Sequence, residues 1–374
     1  MAEPLLQPAQ IEKIALINLG GIGDEILFAP VIEEVKRYLP HAHITLFLED
    51  RSHAVVALLG NVDAVVELNV QGQSRLKLFF QLWQYLRQQP YQLVISSGSS
   101  PFIPMLLALS GIPLRVGFQT GFISQLCLSI EAPLAPRQSR MGYAADMYFA
   151  LAKSFLQALP INHYVPMQPV IPHLRVLPPE AQDWASALLS TESPMRKILI
   201  HPGVSEISIR KNILKSWAPQ HWAALIQAFI QAGHAVYLVG GPDDQAAVSE
   251  ILRQLGNAPA NFTNLYGQTR NLLQLAALVQ AADLLVCVDS SPMHLAVGYQ
   301  KPLVAMFGPT DEKKLLPAGD ARFQAVSLAD LPCRPCLWDR RVESCEAPVC
   351  LDVSVSAMLA ACNRALRSTQ GGFS

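Results

Sequence analysis

The apolar run Leu284-Leu285-Val286-Cys287-Val288 stops abruptly at Asp289-Ser290-Ser291-Pro292-Met293-His294-Leu295-Ala296, and no other stretch limits the fold so sharply. Five apolar, β-rich residues read as a buried strand. Pro292 suits a first helical position, where its missing N–H has no partner to lose, and Ser291 before it suits an N-cap. A strand feeding a helix N-terminus offers free N–H groups and the positive end of the helix dipole, which favour a phosphate or diphosphate. A second apolar run, Leu303–Phe307, follows and ends in Gly308-Pro309-Thr310-Asp311. The expectation is an anion held at the carboxyl ends of parallel strands.

The same alternation runs through the chain twice. Lys13–Asn18 reads as a strand, followed by a glycine loop and a helix through Arg37; His43–Leu48 and Leu93–Ser96 are further strands. Six prolines fall between Pro160 and Pro179 with little helical periodicity, which marks a crossing between domains. Beyond it come strand Lys197–His201, helix Gln220–Ala232 and strand Ala235–Val239, then the unit described above. This pattern predicts an α/β chain of two Rossmann-like, doubly wound domains over residues 1–175 and 176–374, facing across a ligand cleft. With 374 residues, 51% hydrophobic and 15% charged, there is material for two cores and little case for disorder.

A net charge of −1 gives no electrostatic reason to expect nucleic acid. No basic and apolar leader with a small-residue cleavage site opens the sequence, so the expectation is cytoplasmic. Gln88–Ile130 carries a single charge, Arg115, but its prolines and glycines forbid one spanning helix. Buried strand, turn and helix is the first reading; an apolar surface facing a membrane or a lipid-linked acceptor is the second. Before it, Leu76, Phe79, Phe80, Trp83 and Leu86 form a helical stripe that reads as core. Arg75, Lys77 and Arg87 around it leave an interfacial role as the minority alternative.

Candidate chemistry collects at the strand ends. In Asn18-Leu19-Gly20-Gly21-Ile22-Gly23-Asp24, the glycines, Gly21 and Gly23 among them, clear the approach to Asp24 at a helix start. Asp24 reads either as a helix cap or as a carboxylate offered to a substrate. Glu49 and Asp50 end the next strand, where a dinucleotide site keeps a ribose-binding acid, but Ile26 stands where that fingerprint needs its third glycine. His201-Pro202-Gly203 forms a turn whose amides can face a ligand, and Lys215 in Lys215-Ser216-Trp217 is either a phosphate partner or a solvated lysine. Trp217 reads as packing. In Gly240-Gly241-Pro242-Asp243-Asp244, capping is the better reading for Asp243 and an even one for Asp244, which otherwise takes sugar hydroxyls. His294 is a phosphate donor or a structural histidine.

No Asp-x-Asp pair and no His-Glu-x-x-His run is present, so no catalytic metal is expected. Cys333, Cys336, Cys345 and Cys350 have spacings that suit a structural zinc in a reducing compartment; reduced thiols and redox-sensitive pairs are the alternatives. Cys127, Cys287 and Cys362 read as core.

Taken together, the Gly23-Asp24 element, His201-Pro202-Gly203, Lys215-Ser216-Trp217, Gly240-Gly241-Pro242, Asp289 to Ala296 and Phe307 to Asp311 resemble glycosyltransferase family 9, the ADP-heptose:lipopolysaccharide heptosyltransferases. The resemblance implies a GT-B fold, with acceptor on the first domain and nucleotide sugar on the second. It implies metal-independent transfer with inversion, no required cofactor, Asp24 as general base, and a donor held by Gly203, Lys215, Asp244, Asp289, Ser290, Ser291 and His294. It also implies a glycan or lipid-linked acceptor, with peripheral contact at the inner face of the plasma membrane among the expectations. The chain departs from the family in having Ser290-Ser291 for Thr-Gly, no histidine near Tyr143, and a longer Val204–Leu214 loop bearing Arg210 and Lys211. Two competitors remain: a non-catalytic binder of sugar nucleotide or lipid, and a nicotinamide-dependent oxidoreductase.

Overall fold

The computed structural model describes residues 6–134, 142–190, 195–204, 208, 210, 213–257, 259–337, 345 and 348–368. The chain divides into two compact units, Met1–Arg175 and Val176–Ser374, and the division falls inside the proline-rich stretch.

The first unit is a parallel sheet of β1 (Lys13–Ile17), β2 (His43–Glu49), β3 (Ala64–Leu68), β4 (Leu93–Ser96), β5 (Leu114–Phe118) and β6 (Ile130–Ala132), in the order β3-β2-β1-β4-β5-β6. Its helices are α1 (Ile22–Tyr38), α2 (Arg75–Gln88), α3 (Phe102–Ser110), α4 (Phe122–Cys127) and α5 (Ala144–Ala158). The second unit repeats the plan with β7 (Lys197–His201), β8 (Ala235–Leu238), β9 (Phe262–Asn264), β10 (Leu284–Val288), β11 (Leu303–Phe307) and β12 (Phe323–Ser327), in the order β12-β11-β10-β7-β8-β9. Around it lie α6 (Pro179–Leu188), α7 (Pro219–Gln231), α8 (Gln245–Leu255), α9 (Leu272–Ala281), α10 (Ser291–Gly298), α11 (Glu312–Leu315) and α12 (Val355–Arg367).

Counted from its own first strand, each sheet has the same order. Three strands are laid to one side, and the fourth returns to the other side of the first. The loops leaving β1 and β4, and those leaving β7 and β10, therefore diverge to opposite faces and open a crevice at each switch point. These central strands are covered on both faces, hence their unbroken apolar runs: Ile14, Ala15 and Leu16, like Leu284, Val286, Cys287 and Val288, are fully buried. Edge strands carry a weaker signal; β6 and β9 are only three residues long and partly exposed.

Three sequence expectations change. Helix α10 starts one residue early, so Ser290 is the N-cap and Pro292 the second helical residue; the Ser290 hydroxyl donates to Val288 O at 3.3 Å and does not cap. The stripe on α2 is only partly core: Leu82 and Leu86 are buried, but Leu76 and Phe80 stand 73% and 61% exposed. Cys127 is half-buried, whereas Cys287 and Cys362 lie in the core as expected. Trp217 does pack, edge-on to Trp222, with its indole N–H on Val353 O at 2.9 Å.

Candidate active site

In the first unit, the loop from β1 to α1 folds back on its own helix. A Cβ on Gly20 would stand 2.3 Å from the Asp24 Cβ, so only glycine lets the chain pass here. Gly21 is the N-cap and Gly23 the second residue of α1; Asp24, the third, accepts the Gly21 N–H at 2.9 Å through Oδ2. Asp24 is thus a helix cap. It also lines a cavity of about 300 Å³, with Asn18, Gly20, Ser96, Ser97 and Tyr148 among the other walls. That volume is the lower end of what small-molecule sites use. The cavity lies at the β1/β4 switch point.

Two cavity neighbours escape a reading by motif. Tyr148 on α5 donates to Asp24, and burial together with the Asp24 charge pushes its phenol up, so it keeps its proton. Glu25 is fully buried; its carboxyl accepts from Gly20 N–H at 3.4 Å, and its other oxygen has no hydrogen-bond partner. Burial, with added push from Asp24 and Glu49, raises the Glu25 carboxyl well above its ordinary value. Asn18 Oδ1 accepts from Ser97 Oγ at 2.5 Å. Glu49, the residue tried as a ribose acid, is buried and pairs with Arg51 Nε at 2.8 Å.

In the second unit, Asp244 repeats the device used by Asp24. It ends the 3₁₀ turn Pro242–Asp244 and accepts Gly241 N–H at 2.8 Å. Capping therefore belongs to Asp244, and Asp243 is exposed. A Cβ on Gly203 would fall 1.6 Å from Asp244 Oδ1, so a larger residue after Pro202 would displace the carboxylate. His201 Nε2 lies 3.6 Å from Asp244 Oδ2; burial pushes the imidazole down and the carboxyl up.

At the β7/β10 switch point, Lys215 Nζ meets Asp289 Oδ2 at 2.7 Å, and the Thr310 hydroxyl donates to the same oxygen at 2.6 Å. Asp289 is 5% exposed, Ser290 and Ser291 are half-buried, and His294 is buried in the first turn of α10. Lys215, Asp289, Ser290, Ser291 and His294 thus gather at one end of the sheet, and Gly203 and Asp244 end the neighbouring strands. Lys211 lies outside the described residues. Thr310 was legible only as part of a motif, and Arg334 not at all. The Arg334 side chain, 4% exposed, donates to Gly308 O at 2.5 Å, Thr310 O at 2.8 Å and Glu312 Oε2 at 2.9 Å. Cys336 N–H donates to Pro309 O at 3.0 Å, so the cysteine-bearing segment supports the loop that presents Thr310.

Burial pushes the Cys336 and Cys350 thiols up, and the neighbouring cysteines add to it. Among the described residues no three His, Cys, Asp or Glu side chains converge as a metal site. No described helix is long and apolar enough to cross a membrane.

The family model glycosyltransferase family 9 (heptosyltransferase) matches residues 79–346, well over half of the chain. Lipopolysaccharide heptosyltransferase 3 of Escherichia coli is 27% identical over 308 residues, 77% of this chain and 81% of that protein. Among solved structures, the E. coli ADP-heptose LPS heptosyltransferase II matches with a TM-score of 0.69 at 22% identity, over 96% of this chain and 100% of its own. The family 9 glycosyltransferase of Veillonella parvula matches with a TM-score of 0.75 at 19% identity, over 97% and 98%. These structural likenesses carry the fold, which is GT-B, and the family match carries the chemistry. The chain belongs to glycosyltransferase family 9, the heptosyltransferase family, and is a glycosyltransferase.

Proposed function

We propose that this enzyme moves a heptose from ADP-heptose to a sugar hydroxyl of a lipopolysaccharide-type, lipid-anchored acceptor, by single displacement with inversion and without a catalytic metal. The observation that carries the reading is the placement of Asp24, a carboxylate in a cavity at the switch point of the first unit. An acceptor hydroxyl in that cavity attacks the anomeric carbon, the new C–O bond forms as the bond to the diphosphate breaks, and the proton passes to Asp24. A carboxylate is a weak base for a resting alcohol, and it suffices because the proton leaves late, once bond formation has acidified the oxygen. Tyr148, donating to Asp24, holds the carboxylate toward the cavity.

ADP leaves carrying the charge, and the second unit meets it. The N–H groups at the start of α10, with Ser290 and Ser291, face the diphosphate, and Lys215 supplies a cation that Asp289 and Thr310 hold in place. Gly203, Asp244 and His294 complete the donor surface. Asp24→Asn is expected to bind ADP-heptose as the wild type does and to lose transfer by orders of magnitude. Wild-type turnover in that variant, followed by ADP release with a heptose-deficient acceptor, removes the base role. For the cysteines a structural zinc remains our reading, drawn from spacing alone; metal analysis of the purified protein decides it, with a stoichiometric content expected and a metal-free, fully folded protein refuting it.

A further inference from the structure

Seven of the ten large hydrophobic side chains that stand exposed among the described residues fall between Leu76 and Leu126, so they are not scattered. Leu76 and Phe80 on α2, Phe102 and Leu109 on α3, and Phe122 and Leu126 on α4 are each more than half exposed. Helix α2 packs on α3, and α3 on α4. The Trp83 indole ties α2 to Leu109 O at 2.9 Å. Single exposed leucines need no account; a group of them on adjoining helices does.

Charge decides what covers this face. From residue 68 to residue 130 the chain has no Asp and no Glu, against Arg75, Lys77, Arg87 and Arg115. Arg115 turns inward to the carbonyls of Cys127 and Ile112, at 2.8 and 2.7 Å. Arg75, Lys77 and Arg87 are exposed on α2, beside the apolar side chains. Glu131, the acid that ends this stretch, is half-buried and accepts the Ser124 hydroxyl of α4. Apolar side chains flanked by the exposed cations of α2 complement a layer of anionic headgroups over acyl chains. The face also adjoins the Asp24 cavity. The Ser96–Ser99 stretch that lines the cavity leads into α3, whose Ile103 is a cavity wall and whose Phe102, next in the chain, is 57% exposed.

We infer that α2, α3 and α4 are the surface by which this protein docks on an anionic lipid bilayer. Apolar side chains of the three helices enter the boundary between headgroups and acyl chains, while Arg75, Lys77 and Arg87 meet lipid phosphates. The inference deepens the proposed transfer to a lipid-anchored acceptor and rests on that reading for its purpose: docking brings the acceptor's sugars to the cavity mouth while the lipid stays in the bilayer. The helices have 14, 9 and 6 residues, too short to span, so the contact is peripheral.

The test is co-sedimentation of the full chain with vesicles of phosphatidylcholine alone or mixed with phosphatidylglycerol. Binding is expected to the mixed vesicles and to weaken with salt. The combined variant Phe80→Ser, Phe122→Ser, Leu126→Ser is expected to bind about tenfold or more weakly, with transfer to a delipidated, soluble acceptor unchanged. Arg75→Gln, Lys77→Gln and Arg87→Gln together are expected to erase the preference for phosphatidylglycerol. Wild type that ignores the mixed vesicles, or a serine variant that binds them equally, overturns the inference. So does a dimer in sedimentation velocity that the serine variant abolishes, which assigns the face to a second copy. Absence of transfer from ADP-heptose with any acceptor would defeat the transferase reading and leave the vesicle result intact, so the two failures are separable.

Discussion

Two carboxylates, one in each unit, are held in the same way: each sits third in a helical turn, accepts the N–H of a glycine three residues back, and presses on a second glycine, Gly20 of the same loop for Asp24 and one after the neighbouring strand for Asp244. For Asp244 that glycine is Gly203, and an added Cβ would fall 1.6 Å from Oδ1, so the carboxylate would have to leave its place. Gly203→Ala is therefore expected to cost about 2–4 kcal/mol. In a double-mutant cycle Asp244→Ala should recover part of that loss, because it removes the atom that clashes; strict additivity in urea unfolding refutes the contact. Glu25 offers a different test. Burial favours its neutral form, and the hydrogen bond it accepts from Gly20 N–H does not require a charge. Glu25→Gln should retain fold and turnover, whereas Glu25→Ala, which strands the Gly20 N–H and leaves a buried cavity, should lose about 1–3 kcal/mol. Equal damage from both would mean that the carboxylate charge matters. Lys215→Ala should weaken ADP binding by about 1.5–3 kcal/mol, the worth of a hydrogen bond to a charged group, and should also leave Asp289 without its cation. Unchanged ADP affinity by calorimetry removes Lys215 from the donor surface.

Among the elements, α1 carries further acids beyond the turn that holds Asp24. Glu33 is pushed up to about 7 by burial, with Glu34 adding repulsion, and His173 Nδ1 lies 3.7 Å away. Between about pH 4.5 and 7 the folded chain keeps a proton on Glu33 that the unfolded chain has released, so this residue lowers stability as pH rises through that window. Glu33→Gln should gain on the wild type across that window and hold a constant advantage above it, as read from urea midpoints at a series of pH values. A gap that does not change with pH contradicts the raised carboxyl. The helix α2 shows why an apolar stripe is an incomplete guide. Its periodicity is helical, and Leu82 and Leu86 do face the core, but Leu76 and Phe80 point to solvent because no described element packs over them. Short parallel edge strands such as β6 and β9 were hidden for the converse reason, since three residues give no period to detect.

At the scale of the molecule, each unit owns a complete sheet, a switch point and a core, so equilibrium unfolding need not be a single two-state transition. The donor residues named above all lie in the second unit. A fragment spanning 176–374 is accordingly expected to bind ADP with an affinity near that of the full chain, measured by calorimetry, and to be stabilised by it on heating. A folded fragment that ignores ADP would mean that the nucleotide site is not where the β10–α10 junction places it. The division itself was readable because prolines interrupt both periods at once.

Local chemistry belongs to neighbours in the chain, and on that level the sequence was sufficient. The doubly wound alternation, the glycine turn before Asp24 and the Asp289–His294 junction follow from residues a few positions apart, whose backbone preferences and spacing are read directly. What the tertiary structure decided are the properties conferred by distant partners. Tyr148 reaches Asp24 from a helix more than a hundred residues later, Thr310 and Lys215 converge on Asp289 from different loops, and Arg334 braces the loop after β11. The neutral form of Glu25 and the exposure of Leu76, Phe80 and Leu126 are of the same kind, because burial is a consequence of what packs against a side chain and not of the side chain itself.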